Sequence, residues 1–212
     1  VPQIGLAGRW TPTLAWIVAL NVGFFLLQAA LPPFTGMLAL VPGRVWPDHL
    51  HTLLTYAFLH GGVGHLFFNM LTLYFFAGDL ELFLGTRRFL LLYFGSALSG
   101  GIAAALFLKG PVLLVGASGA VYGVLTAYAL YFPSTEVLLW FLLPVKIWAL
   151  VLVWILLSLF YSVFGSSDGI AHLAHLGGAL FALLYILEPW KPRGGLRDFA
   201  YRWRRRRFRR IQ

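Results

Sequence analysis

Two residues of this chain could together perform nucleophilic chemistry. Ser118 stands in Gly116-Ala117-Ser118-Gly119-Ala120-Val121-Tyr122-Gly123, and His175 in Ala171-His172-Leu173-Ala174-His175-Leu176-Gly177-Gly178. A serine hydroxyl attacks a carbonyl only when a base takes its proton, and imidazole is the usual base. A serine in an apolar helix is unremarkable alone, because its hydroxyl can bond back to the preceding turn. The flanking Gly116 and Gly119 set Ser118 apart: they clear space around the hydroxyl and let a helix start sharply. A helix start also leaves free backbone N–H groups, which suit a developing oxyanion. Histidine in an apolar segment of this kind is functional by default. His172 lies three residues before His175, roughly on the same face, and is the rival base. The nearest carboxylate in sequence, Asp168, is seven residues before His175 in a Gly/Ser-rich loop, so a Ser–His dyad is expected and not a triad. The absence of cysteine excludes a thiolate nucleophile, thiolate metal sites and disulfides.

The elements that hold these residues are membrane spans. The 212 residues are 60% hydrophobic and only 11% charged, with mean hydropathy +0.82. That is too apolar for one soluble core, and most segments lack the polar stripe of a soluble bundle. A spanning helix needs roughly 20 mostly apolar residues. Six runs qualify: 13–31, 64–84, 89–108, 115–132, 144–164 and 170–187. Breakers bound them: Pro32-Pro33, Gly85 with Arg87-Arg88, Lys109-Gly110-Pro111, Pro133-Ser134-Thr135-Glu136, and the loop 165–169. The first run is longer than a signal-peptide core and has no small-residue cleavage site after it. The connection 32–62 carries Phe34, Trp46, His49, His51, Tyr56 and Phe58 among prolines and glycines, and reads as a long, partly membrane-embedded first loop. The expected organisation is an N-terminal cytoplasmic segment 1–12, a six-helix domain 13–190 and a basic tail 191–212.

Six spans put both termini on one side. With the termini cytoplasmic, the inner segments hold Arg9, Arg87, Arg88, Lys146 and ten basic residues of the tail, against Arg44 and Lys109 outside. The positive-inside rule selects that orientation. It places His65, Asn69, Ser118 and His175 near the same, outer, membrane face. Small residues recur every four positions at Gly119, Gly123 and Ala127, and again at Ala174, Gly178 and Ala182. Such stripes let two membrane helices approach backbone to backbone. Pairing them brings Ser118 toward His175, with Tyr122 one turn below the serine and able to stack on the imidazole.

Gly-Ala-Ser-Gly at 116–119, Ala-His-Leu-Gly-Gly at 174–178 and His60…His65-Leu-Phe-Phe-Asn69 resemble the rhomboid family of intramembrane serine proteases. The likeness runs from about His49 to Leu187. It implies an all-α membrane fold, a compact bundle of six transmembrane helices. It further implies Ser118 as nucleophile, His175 as general base, His65 and Asn69 as oxyanion-binding residues, Tyr122 packed on the base and Glu81 as a structural glutamate. Ala-His-Leu-Gly-Gly selects His175 over His172. His51-Thr52 stand where many members carry Trp-Arg, and Ala182 where a glycine is frequent, which implies slightly wider helix spacing.

The activity implied is endopeptidase cleavage of single-span membrane proteins by way of an acyl-enzyme. The protein is expected in a bacterial inner membrane with its site toward the extracytoplasmic side. No metal, nucleotide or organic cofactor is implied; His60, His65, His172 and His175 have no HExxH pattern and no carboxylate beside them. A catalytically dead relative that escorts membrane proteins would lack the serine or the histidine, and a transporter would carry paired charges at mid-membrane. Seven arginines between 202 and 210 interleave with aromatics; after a cytoplasmic span they point to anionic lipid and not to nucleic acid.

Overall fold

The computed structural model describes residues 8–108, 110, 112–139, 142–165 and 172–187. Helix α1 (Pro12–Ala30) starts where the Thr11 hydroxyl accepts from Leu14 N–H at 3.1 Å and Pro12 fills the first position. Leu31, extended before Pro32, ends it. A short helix α2 (Pro32–Leu38) and a one-turn α3 (Thr52–Thr55) lie within the connection to α4 (Val63–Leu84). Gly85, with φ +82°, turns the chain directly into α5 (Thr86–Phe107). Then follow α6 (Ser118–Tyr131), α7 (Ile147–Phe164) and α8 (His172–Leu187).

Four of these, α1, α4, α5 and α7, are long and apolar enough to cross a membrane. Helix α8 has 16 apolar residues. Helix α6 has 14, ten of them buried, and is the centre of the bundle. By contrast α1 and α7 bury three residues each. Their outward faces present Trp16, Leu26, Leu152, Leu156 and Phe160. Apolar faces of this extent are stable against lipid and not against water, so the chain is an integral, multi-pass membrane protein.

The buried carboxylate of Glu81 ties helix ends together. The Glu81 carboxylate accepts from Thr11 Oγ1 at 2.5 Å and Thr86 Oγ1 at 2.7 Å, which joins α1, α4 and α5 at one end of the bundle. This is the structural glutamate expected from the resemblance. Within the long connection, His51 Nε2 lies 3.0 Å from the Met37 carbonyl, and Thr52 Oγ1 donates to the His49 carbonyl at 2.6 Å. His51-Thr52 thus fold the connection onto itself. An antiparallel bridge between Leu40 and Leu114 fastens it to the segment before α6.

Two local expectations are corrected. The run 144–164 was expected to be helical throughout. Instead β1 (Glu136–Leu139) and β2 (Leu143–Lys146) form an antiparallel hairpin, with Val137 opposite Val145, and α7 begins only at Ile147. The β-branched pair suits a ladder, and the ladder satisfies the backbone groups of an apolar segment between two helices. The run 115–132 loses its first three residues: Gly116 has φ +132° and its N–H donates to the Tyr56 carbonyl at 2.9 Å, so the helix starts at Ser118. Asp168 and the tail 191–212 lie outside the described residues.

Candidate active site

The small-residue stripes of α6 and α8 do meet. A Cβ added to Gly178 would collide with the carbonyl oxygen of Gly119, and one on Gly123 would lie 3.2 Å from the Gly178 carbonyl oxygen. Ala182, where wider spacing was expected, is fully buried. At the upper end of this contact His175 Nε2 lies 2.8 Å from Ser118 Oγ. His175 is 8% exposed, whereas Ser118 is half-buried at the first position of its helix. With the ring proton on Nδ1, Nε2 accepts from the serine hydroxyl, which is the arrangement that proton removal requires.

Tyr122, one turn further along α6, stacks on His175 with ring centroids 4.2 Å apart and an interplanar angle of 11°. Its own hydroxyl accepts from Ser158 Oγ on α7 at 3.3 Å. The His175 ring is therefore held in one orientation by Tyr122 of α6, which Ser158 of α7 braces. His172 is placed differently: it stacks on Tyr161 at 5.1 Å and meets His175 edge-on at 6.0 Å.

His65, on the first turn of α4, faces the same space. A Cβ on Gly116 would lie 2.8 Å from His65 Nε2 and 3.6 Å from Ser118 Oγ. Only glycine leaves that space open, and only glycine adopts its φ freely. Gly61 N–H donates to His65 Nδ1 at 3.4 Å, which keeps Nδ1 as acceptor and leaves the proton on Nε2, toward Gly116. Asn69 is buried one turn along α4, and its Nδ2 donates to the His65 carbonyl at 3.0 Å. Among the described contacts it joins the cluster through His65 and not through Ser118.

Tyr56 and His60 complete the surroundings. The fully buried Tyr56 donates through its hydroxyl to the Ala97 carbonyl at 2.8 Å, and its backbone carbonyl holds Gly116. Burial pushes its phenol further above the ordinary range. Burial and the neighbouring His65 push His60 down to about 4, so this ring is neutral at physiological pH. Sequence reasoning saw Tyr56 only as one aromatic of the connection; its partner on α5 is 41 residues away and leaves no local signal. Among the described residues no His/Asp/Glu group is arranged to hold a metal ion.

A bundle of apolar helices with a serine and a histidine in contact at the end of its central helix defines a class: multi-pass membrane proteins with a Ser–His pair at a helix start. Comparison with known proteins narrows this. Residues 47–190 match the Rhomboid domain model, and the chain belongs to the rhomboid family. It is 36% identical over 143 residues to "Rhomboid protein 1, mitochondrial" of Saccharomyces cerevisiae, covering 61% of this chain and 39% of that protein. It is 37% identical over 135 residues to "RHOMBOID-like protein 4" of Arabidopsis thaliana, covering 64% of this chain and 32% of that protein. It is 35% identical over 130 residues to "Rhomboid protease GluP" of Bacillus subtilis, covering 61% and 25%. The match thus spans two fifths or less of the length of each of these relatives.

The tight α6–α8 contact carries an expected result. Gly178→Ala places a methyl group against the Gly119 backbone and forces the helices apart. Overpacking of this kind costs about 1–3 kcal/mol, so the melting temperature should fall by about 2–10 °C. Turnover should fall with it, because Ser118 and His175 stand on the two displaced helices. A melting temperature and turnover equal to wild type would contradict the close approach.

Proposed function

We propose that the protein is an intramembrane serine endopeptidase that cuts transmembrane segments of single-span membrane proteins near their extracytoplasmic ends. The observation that carries this is the 2.8 Å contact between Ser118 Oγ and His175 Nε2 in a chain of the rhomboid family. Ser118 attacks the scissile carbonyl as His175 takes its proton. The oxyanion is held by the Ser118 backbone N–H, His65 and Asn69. His175 then returns the proton to the leaving amine, and water hydrolyses the acyl-enzyme. No metal or organic group enters these steps.

The proposed architecture is six spans, α1, α4, α5, α6, α7 and α8, with 32–62 as a long first loop partly in the outer interface. The proposed topology has both termini cytoplasmic, from fourteen basic residues on the inner segments against two outside. It places His65, Ser118 and His175 at the outer side and the basic tail against anionic lipid. The test is to incubate purified protein in liposomes with a model single-span substrate and map the products by mass. Cuts near the outer end of the substrate span are expected; cuts at its cytoplasmic end would contradict the orientation.

Asn69 tests the oxyanion assignment. One of its amide N–H groups is engaged by the His65 carbonyl, and the second is available to a developing negative charge. Loss of one oxyanion donor lowers turnover by about 10²–10³-fold. Apparent affinity should change little, because the ground state does not use that bond. Turnover, apparent affinity and melting temperature of Asn69→Ala in one detergent decide this. Near-normal turnover would remove Asn69 from the site; a joint fall of stability and turnover would make it structural.

A further inference from the structure

We infer that Gln28 on α1 is a positioning residue for the oxyanion side of the site, acting through His60 on the imidazole of His65. The inference rests on the reading of His65 as an oxyanion donor. Gln28 is a half-buried polar side chain on a helix whose buried residues are Leu14, Ile17 and Asn21. Its Oε1 accepts from the His60 N–H at 2.8 Å, and its Nε2 donates to the His60 carbonyl at 3.4 Å. An amide that both accepts from and donates to the backbone of one residue copies a strand pair, and fixes that residue in position and rotation. Nε2 also donates to Thr35 Oγ1 on α2 at 3.2 Å, which holds the plane of the amide.

The clamped residue touches the site. The His60 ring packs edge-on against His65 with centroids 5.2 Å apart and an interplanar angle of 68°. The next residue, Gly61, donates the N–H that keeps His65 Nδ1 an acceptor. The far flank of the His65 ring closes on Gly116. The backbone placement of His60 and Gly61 therefore sets both the orientation of His65 and the nitrogen that carries its proton. That nitrogen, Nε2, is the one facing the Ser118 side. Groups one layer out govern how well a reacting group is aimed, and small displacements are felt in turnover. Attachment of α1 to this segment does not depend on Gln28, since Phe24 packs on Phe58 at 5.2 Å and on Phe34 at 5.6 Å.

The experiment is a double-mutant cycle on the full chain with a model single-span substrate. Gln28→Met keeps the side-chain volume and removes all three bonds. Its turnover is expected to fall about tenfold, within the usual range for coupled neighbours, with apparent affinity within about twofold of wild type. In the His65→Ala background the same substitution should slow turnover no further. Wild-type turnover for His65→Ala would overturn the oxyanion reading itself. A slow His65→Ala beside a Gln28→Met of wild-type turnover would overturn the role of Gln28 alone. Losses that multiply in the double variant would make Gln28 a structural residue, and would overturn it too. If Gln28→Met does not fold, Gln28→Ala enters the same cycle with the same expected outcomes.

Discussion

Ser118→Ala is expected to leave a folded protein that no longer cleaves a transmembrane substrate, with turnover reduced on the order of 10⁴-fold or more, the scale of removing a serine nucleophile. The variant removes one oxygen at the first position of α6, where the side chain is half-buried and no apolar packing is lost. Its hydroxyl is used in the contact with His175. The backbone turn at Gly116, the hydrogen bond from Gly116 to Tyr56 and the α6–α8 contact are all independent of it. The bond lost is the part-buried one to His175, worth about 0.5–1.5 kcal/mol, so the melting temperature should fall by no more than about 1–6 °C. Cleavage at the wild-type rate by this variant would remove Ser118 from the mechanism.

The second large effect separates the two histidines of α8. His175→Ala should lose turnover to a similar degree, because without a base the hydroxyl remains a weak nucleophile. His172→Ala should retain most of it, since that ring is stacked on Tyr161 and not on the serine. His175 is buried and stacked on Tyr122, so its truncation also removes packing and lowers stability somewhat. Non-additivity resolves the two contributions. Residues that act as one unit are not lost twice, so Ser118→Ala with His175→Ala should be no slower than either alone. An inactive His172→Ala beside an active His175→Ala would reverse the assignment.

Much of the candidate site could be read from residue types and spacing. Gly119, Gly123, Gly178 and Ala182 bring α6 and α8 into contact because small residues at intervals of four leave a groove, a relation visible along one helix. Tyr122 is one turn from Ser118, and that spacing alone puts its ring beside whatever base Ser118 meets. The hairpin was not legible, because an apolar run of four to eight residues suits a strand or a helix start equally, and pairing partners decide. Tyr56 and Gln28 were not legible for another reason. Each bonds to backbone far along the chain, Tyr56 to Ala97 and Gln28 to His60, and a backbone partner imposes no residue type there. The start of α6 illustrates both limits: Gly116 advertised a bend, but the bond that sets it comes from the Tyr56 carbonyl.

The most direct measurement of the central claim is covalent trapping of the nucleophile. Purified protein in detergent is treated with a fluorophosphonate, which reacts with activated serine hydroxyls, and the adduct is located by peptide mass. The adduct is expected on Ser118, formed as fast in His172→Ala as in wild type and slowed sharply in His175→Ala. Protein that cleaves substrate yet carries no adduct on Ser118, or that is labelled there equally fast without His175, would contradict a dyad of Ser118 and His175.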